Sequence, residues 1–299
     1  MIAQNALKNV LTLYNSRKDQ EILKEQGYSS LSSGEYDENS DYVDQIHNID
    51  VNDLELENRV PLGAGAFGAV YKCLWKTIKS NVYVAVKLFE PKSEELNNEI
   101  IRQMLYDELS ALEKLANHPH IIPLLGYTLS DNVVLVFPLR INNLTRHLVA
   151  RGNTISTDLL RRYCAQIADG MIFMHTKNII HRDLKASNIL VKDLYNVQIS
   201  DFGLACRANE GKWGGGTLTH LAYEYIVNGE NATKKGDIWA FGVTVWEIYE
   251  RGQKVPYTNK LEHVNKKTLA AFLDDGKRLD KPEEIPLDLW GRIRICKFK

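Results

Sequence analysis

Cysteine is scarce in this sequence, and what there is does not cluster. Cys73, Cys164, Cys206 and Cys296 are scattered over 299 residues with no C-x-x-C and no Cys/His group. A disulfide framework and a zinc site are therefore not expected. Long apolar runs are also missing. None approaches the roughly 20 residues that cross a bilayer, and the N-terminus has no signal-peptide pattern. Charge of one sign is missing too: 37 Lys and Arg face 38 Asp and Glu, so bulk attraction to nucleic acid or an anionic membrane is not expected. No segment repeats, and no G-K-[ST] occurs, which removes the P-loop. These absences lead us to expect a chain of the reducing cytoplasm, with no nucleic-acid partner and no membrane span. The sequons at Asn143 and Asn231 then read as chance matches.

What remains is ordinary globular material, 44% hydrophobic and 25% charged, enough for two lobes with a real core. Residues 1–24 predict a helix with Ile2, Leu7, Val10, Leu11 and Tyr14 roughly on one face, read as a packing or partner helix. From Glu35 to Asn58 there are nine acidic residues and no Lys or Arg, a stretch that can bury little and reads as flexible. The texture changes near Asp53. "LELE", "AVYKCLW", "VYVAVKLF" and "NVVLVFPL" read as strands, and "NNEIIRQMLYDELSALEKLA" as a helix. After Arg140 the chain turns mainly helical, most clearly in "TDLLRRYCAQIADGMIFMHT" and "GDIWAFGVTVWEIYE". The expected units are 1–52, a helix then an acidic segment; 53–139, a strand-rich lobe; and 140–299, a helical lobe.

The strand-rich part carries "LGAGAFGAV", with Gly63, Gly65 and Gly68 between two strands. Glycines there let the backbone approach a phosphate closely. A dinucleotide fold would follow with a helix and an acid about 20 residues on. Here a strand follows, and it ends in a cation, Lys87. Glu108, inside the next helix with Leu112 and Leu115 one and two turns later, is the acid that could orient that lysine. Further on, "HRDLKASN" offers Asp183 to accept a proton from a hydroxyl and Asn188 to bind a divalent cation. "SDFG" adds Asp201 as a second hard oxygen ligand of the kind Mg2+ prefers.

In this order, G-x-G-x-x-G-x-V, V-A-V-K, H-R-D-L-K-x-x-N and D-F-G, the motifs resemble those of the protein kinase family, from about Asp53 to the last residue. The resemblance implies an α+β, two-lobed fold: a small antiparallel β-sheet lobe with one helix, then a larger, mainly helical lobe. It implies ATP and Mg2+ as cofactors. Leu62, Gly63, Ala64, Gly65, Ala66, Phe67, Gly68 and Val70 would cover the nucleotide, and Lys87, paired with Glu108, would contact its phosphates. Val70, Ala85 and Leu190 would enclose the adenine. The hinge would run from Phe137 through Leu139 to Arg140, with Phe137 guarding the back pocket and Val136 the alternative. Asp183 would be the base, Lys185 the cation on the transferred phosphate, and Asn188 and Asp201 the metal ligands. Leu112, Leu124, His181 and Phe202 would stack as an internal spine.

Lys185 and Thr217, in "GTLTHLAYE", resemble Ser/Thr kinases, and Thr217 would be part of the substrate platform. A tyrosine-kinase-like Ser/Thr enzyme is the main expectation and a tyrosine or dual-specificity kinase the alternative. Implied partners are protein substrates, with phosphotyrosine-reading domains at Tyr36 and Tyr42; a plain acidic linker is the other reading there. Two departures stand out. Ala222-Tyr223-Glu224 lacks the family's proline. The chain also stops at "RICKFK", before the family's terminal helices and the arginine that pairs with the equivalent of Glu224. The helical lobe is therefore expected to be incomplete at that end, and a weakly active scaffold is a second alternative. Residues 204–216 contain no Ser, Thr or Tyr, and two readings follow: Glu210 stands near Arg182 in place of a phosphate, or the three glycines from Gly214 to Gly216 keep the loop mobile.

Overall fold

Alternation of period two dictates the first lobe. In the computed structural model, which describes residues 2–14, 47–65, 68–77, 80–89, 98–128, 134–208, 215–229 and 231–294, six strands form one sheet. They are β1 (His47–Asn48), β2 (Val60–Gly65), β3 (Gly68–Lys76), β4 (Asn81–Leu88), β5 (Gly126–Thr128) and β6 (Val134–Pro138), in the spatial order β1-β5-β6-β4-β3-β2. All neighbours are antiparallel except β1 and β5. On β4, Val84, Val86 and Leu88 point into a core shared with Cys73, Val134 and Val136. The intervening Ala85 and Lys87 face the other way, as a pleated strand requires. Helix α2 (Asn98–Lys114) packs on that second face and buries Leu105, Leu109 and Leu112.

The expected "LELE" strand is not there. Leu54 makes a single bridge to Trp75, and Glu55 instead pairs with Lys76 at 2.9 Å. Two acids at alternate positions favour the solvent side over a ladder, and pairing with β3 passes to Val60–Gly65.

Period 3.6 dictates the second lobe. Its helices are α3 (Leu144–Arg151), α4 (Thr157–Thr176), α5 (Tyr223–Val227), α6 (Lys234–Tyr249), α7 (Lys266–Asp274) and α8 (Leu287–Arg294). Short strands β7 (Asn142–Asn143), β9 (Ile189–Val191) and β10 (Val197–Ile199) form one small sheet, and β8 (Ile179–Ile180) with β11 (Cys206–Arg207) another. Leu160, Cys164, Ile167, Met171 and Met174 recur every three or four residues along α4 and are all buried. Ser156 starts that helix by accepting a hydrogen bond from Leu159 N–H. Helix α6 is apolar nearly all round and accordingly lies at the centre of the lobe. At the position of the missing proline, the Tyr223 phenol is hydrogen-bonded to Asp274 at the end of α7, which pushes its pKa up. Glu224 beside it is half-buried.

The first helix, α1 (Ile2–Tyr14), is shorter than the predicted 1–24, and residues 15–24 lie outside the described residues. It lies against α4, α6 and α8. The strand β1 joins the sheet before Asp53, so the small lobe takes in residues upstream of it.

The turn after α2, "HPHII", fastens it to α4. His118 stacks on Phe173 and pairs with Asp169 at 3.4 Å, while His120 Nδ1–H donates to the Val197 carbonyl at 3.3 Å. Burial pushes the His120 imidazole down from 6.5 to about 4, against the opposing pull of Asp169. In the unfolded chain the same imidazole takes up a proton near pH 6.5, so the unfolded state binds more protons between these values. Stability is therefore expected to fall as pH drops from 6.5 towards 4, by about 3 kcal/mol from this group. Urea unfolding across that range should show the loss, and His120→Asn should flatten it. Parallel curves for the two proteins would assign the acid sensitivity to other groups.

Candidate active site

Two charged clusters form where the lobes meet. The first belongs to the sheet and α2. Lys87 stands late on β4, opposite Val70 on β3 and Leu135 on β6. Its Nζ donates to both carboxylate oxygens of Glu108, at 2.8 and 2.7 Å, and to Asp201 Oδ1 at 3.3 Å. Glu108 is 1% exposed, so this ion pair is dry on one side. Burial pulls the Lys87 ammonium down, but the charges of Glu108 and then Asp201 more than offset it and hold its pKa above the usual range. Burial pushes Glu108 upward, and Lys87 opposes that. The sequence-predicted pair is thus in contact, and Asp201 joins it.

The second cluster surrounds Asp183. Thr217 N–H and Oγ–H donate to its Oδ1 at 2.8 and 2.7 Å. Lys185 Nζ and Asn188 Nδ2 approach its Oδ2 at 2.8 and 3.0 Å. Lys185 also donates to Thr217 Oγ1 at 2.7 Å. Burial alone would push the Asp183 carboxyl up. The hydrogen bond and charge of Lys185, then the Thr217 hydroxyl and His181, outweigh it and hold the carboxyl below its usual range. Gly216 makes the approach of Thr217 feasible: its φ is +97°, and a Cβ there would sit 2.6 Å from the Arg182 carbonyl oxygen.

The remaining predicted residues fall around these clusters. Ala85 lies opposite Phe137 across β4 and β6, on the Lys87 face, whereas Val136 lies opposite Val86 in the buried small-lobe core. The register therefore puts Phe137, and not Val136, on the side of the cleft. Leu190 on β9 and Phe137 pack half-buried against one core cluster, and Leu139 follows β6. Leu62, Gly63 and Ala64 are exposed along β2. Gly68 has a packing reason of its own: at φ +154° a Cβ would come within 2.1 Å of the Leu88 carbonyl oxygen. Leu112, Leu124, His181 and Phe202 are all buried, with the His181 and Phe202 rings 5.1 Å apart. Ala66, Phe67, Tyr36, Tyr42 and Glu210 lie outside the described residues.

Sequence reading missed the groups that hold the 181–188 loop. Asp237, fully buried in the first turn of α6, accepts from His181 N–H at 2.8 Å and Arg182 N–H at 2.9 Å. His175 on α4 meets the same carboxylate at 3.0 Å. Glu247, near the end of α6, accepts from Ala186 N–H at 2.9 Å and pairs with His220 at 3.1 Å. The available signal was an acid at each end of an otherwise apolar helix.

Asp237→Asn replaces one carboxylate oxygen with a donor, which then faces the backbone N–H of either His181 or Arg182. It is expected to cost about 3 kcal/mol of unfolding free energy in urea titration. A variant as stable as the parent would show that the loop is held elsewhere.

Comparison with known proteins places this geometry. The family model for the protein tyrosine and serine/threonine kinase matches residues 56–298. The melanoma receptor tyrosine-protein kinase of Xiphophorus maculatus is 33% identical over 82% of this chain and 21% of its own length. Human receptor tyrosine-protein kinase erbB-4 is 33% identical over 82% of the chain and 19% of itself. The Drosophila melanogaster epidermal growth factor receptor is 34% identical over 82% and 17%. The chain thus spans about a fifth of the length of the curated relatives it matches. On the family match and the two-lobed fold together, this chain belongs to the protein tyrosine and serine/threonine kinase family.

Proposed function

We propose that this chain is an ATP-dependent protein kinase domain that transfers the γ-phosphate to tyrosine in protein substrates. The observation that carries the chemistry is the ionised Asp183, hydrogen-bonded by Thr217, Asn188 and Lys185 below the intact Lys87–Glu108 pair. The relatives above are receptor tyrosine kinases, which turns the acceptor away from the Ser/Thr preference expected from Lys185 and Thr217. A second reading, Ser/Thr transfer, rests on the Lys185–Thr217–Asp183 contacts, which form as that expectation required.

Each residue has a role that follows from its contacts. Lys87, held by Glu108, presents a fixed ammonium to the α- and β-phosphates. Asp183 accepts the proton of the attacking hydroxyl. With Thr217, Asn188 and Lys185 on its oxygens, it has little acceptor capacity left. Lys185 therefore moves from Asp183 Oδ2 towards the transferred phosphate, which frees that oxygen for the substrate. Ala85, Val70, Leu190 and Phe137 give the adenine an apolar slot.

The residues present also fit Mg2+. Asn188 spends its amide nitrogen on Asp183, which turns its amide oxygen away as an acceptor. Asp201 keeps a carboxylate 51% exposed at the cleft. These two are the hard oxygen ligands that would hold the ion. When bound, it supplies charge neutralisation to the phosphates.

Incubation with labelled ATP and mixed Ser, Thr and Tyr peptides tests the acceptor. Phosphotyrosine is expected; phosphoserine or phosphothreonine alone would establish the second reading, and no transfer to any peptide would leave the scaffold alternative. Asp183→Asn should lower transfer at least 100-fold while Mg-ATP still raises the melting temperature. Normal turnover in that variant would remove Asp183 from its role.

A further inference from the structure

The first helix is amphipathic, and its apolar stripe is already spent. Leu7 and Val10 are 0% and 2% exposed, and Leu11 packs beside them, whereas Asn5, Lys8 and Thr12 face solvent. The spacing is i, i+3, i+4, one face of a helix. That face joins the same buried cluster as Cys164 and Ile167 of α4, Ile248 of α6, and Leu289 and Ile293 of α8. A free helix of 13 residues is marginal in water, and this one carries no acid in its first turn and no base in its last. Its fold therefore depends on the surface beneath it.

That surface matters beyond packing. Helix α4 carries His175 and α6 carries Asp237, and these meet at 3.0 Å under the 181–188 loop. Residues 15–46, between α1 and β1, span at most roughly 110 Å when extended. That reach lets α1 leave its seat while β1 stays in the small-lobe sheet.

We infer that the groove between α4, α6 and α8 is a docking site for an amphipathic helix, filled in cis by this chain's own residues 2–14, and that its occupation stabilises the large lobe. This face of the helical lobe is covered by a segment that lies before the small lobe in sequence. The occupant is specified by the aliphatic triplet Leu7, Val10 and Leu11 on one face. The 1–52 segment is then two pieces with different seats: α1 on the large lobe and His47–Asn48 on the small one.

The test uses the full chain with a specific protease site inserted between residues 15 and 46 and cut after folding. The helix fragment is expected to co-elute with the body in gel filtration, with the melting temperature little changed. Leu7→Asp with Val10→Asp in the uncut chain should lower the melting temperature by about 5 °C or more, and cutting that variant should release the fragment. Lys8→Glu, on the exposed face, should do neither. A synthetic peptide of residues 1–16, added to body stripped of its fragment, should restore the melting temperature, and the Leu7→Asp peptide should not. The inference is overturned if the parent fragment separates at micromolar concentration with no loss of melting temperature. It is equally overturned if the double variant melts like the parent. A parent chain that runs as a dimer, and as a monomer once Leu7 is replaced, would seat the helix on a second copy and overturn the cis assignment.

Discussion

One buried carboxylate holds the architecture of the site. Asp237 has no exposed surface, and removing an ion from water is costly unless its oxygens are fully partnered. Here three donors meet it: His181 N–H, Arg182 N–H and the His175 imidazole. The two backbone bonds also explain a conformation. Arg182 has a φ of +72°, which an arginine adopts only when its surroundings impose it. Ten residues further along the same rigid helix, about 15 Å away, Glu247 holds Ala186 and His220. One helix thus fixes both ends of the loop that bears Asp183, and it also reaches the segment that follows Thr217.

The Lys87–Glu108–Asp201 cluster obeys a different logic, because its three members come from separate elements. Glu108 depends on the seating of α2, and α2 is fastened below by the His118 and His120 turn and by the buried leucines on its inner face. Asp201 depends on Phe202, which is buried against His181. The Lys87–Glu108 pair therefore reports the seating of α2 on the sheet, and the Lys87–Asp201 contact reports whether the two lobes are in register. The Asp183 cluster instead lies wholly within the large lobe and can be preorganised there.

Much of this was legible in the sequence, and the limits have physical causes. Lys87, Asp183, Asn188 and Asp201 could be picked out of short segments, and the fold brings Lys87 to Asp201 and Asp183 to Asn188. The α4 repeat and the alternation on β4 follow from burying one face. Asp237 could not be found that way, because an acid in a helix's first turn is ordinarily a solvated companion of the helix dipole. Only the surrounding fold makes it a buried acceptor. "LELE" alternates like a strand, but its acids pair with solvent and Lys76 instead. Gly68 was read for ligand approach, yet the Leu88 backbone alone demands it. The stripe on α1 was visible. Its seat was not, since no pattern in residues 2–14 names helices that lie more than 140 positions away.

That separation bears on how the molecule comes to be. Helix α1 is synthesised before its seat, which is built from segments between Thr157 and Arg294. At ordinary ribosomal rates the apolar stripe waits on the order of 10–60 s without its partner. The contact then closes one of the longest loops in the chain, and such non-local closure is slow. During that interval Leu7, Val10 and Leu11 are open to whatever binds short apolar helices, so this fold offers chaperones a foothold at residues whose own seat forms much later.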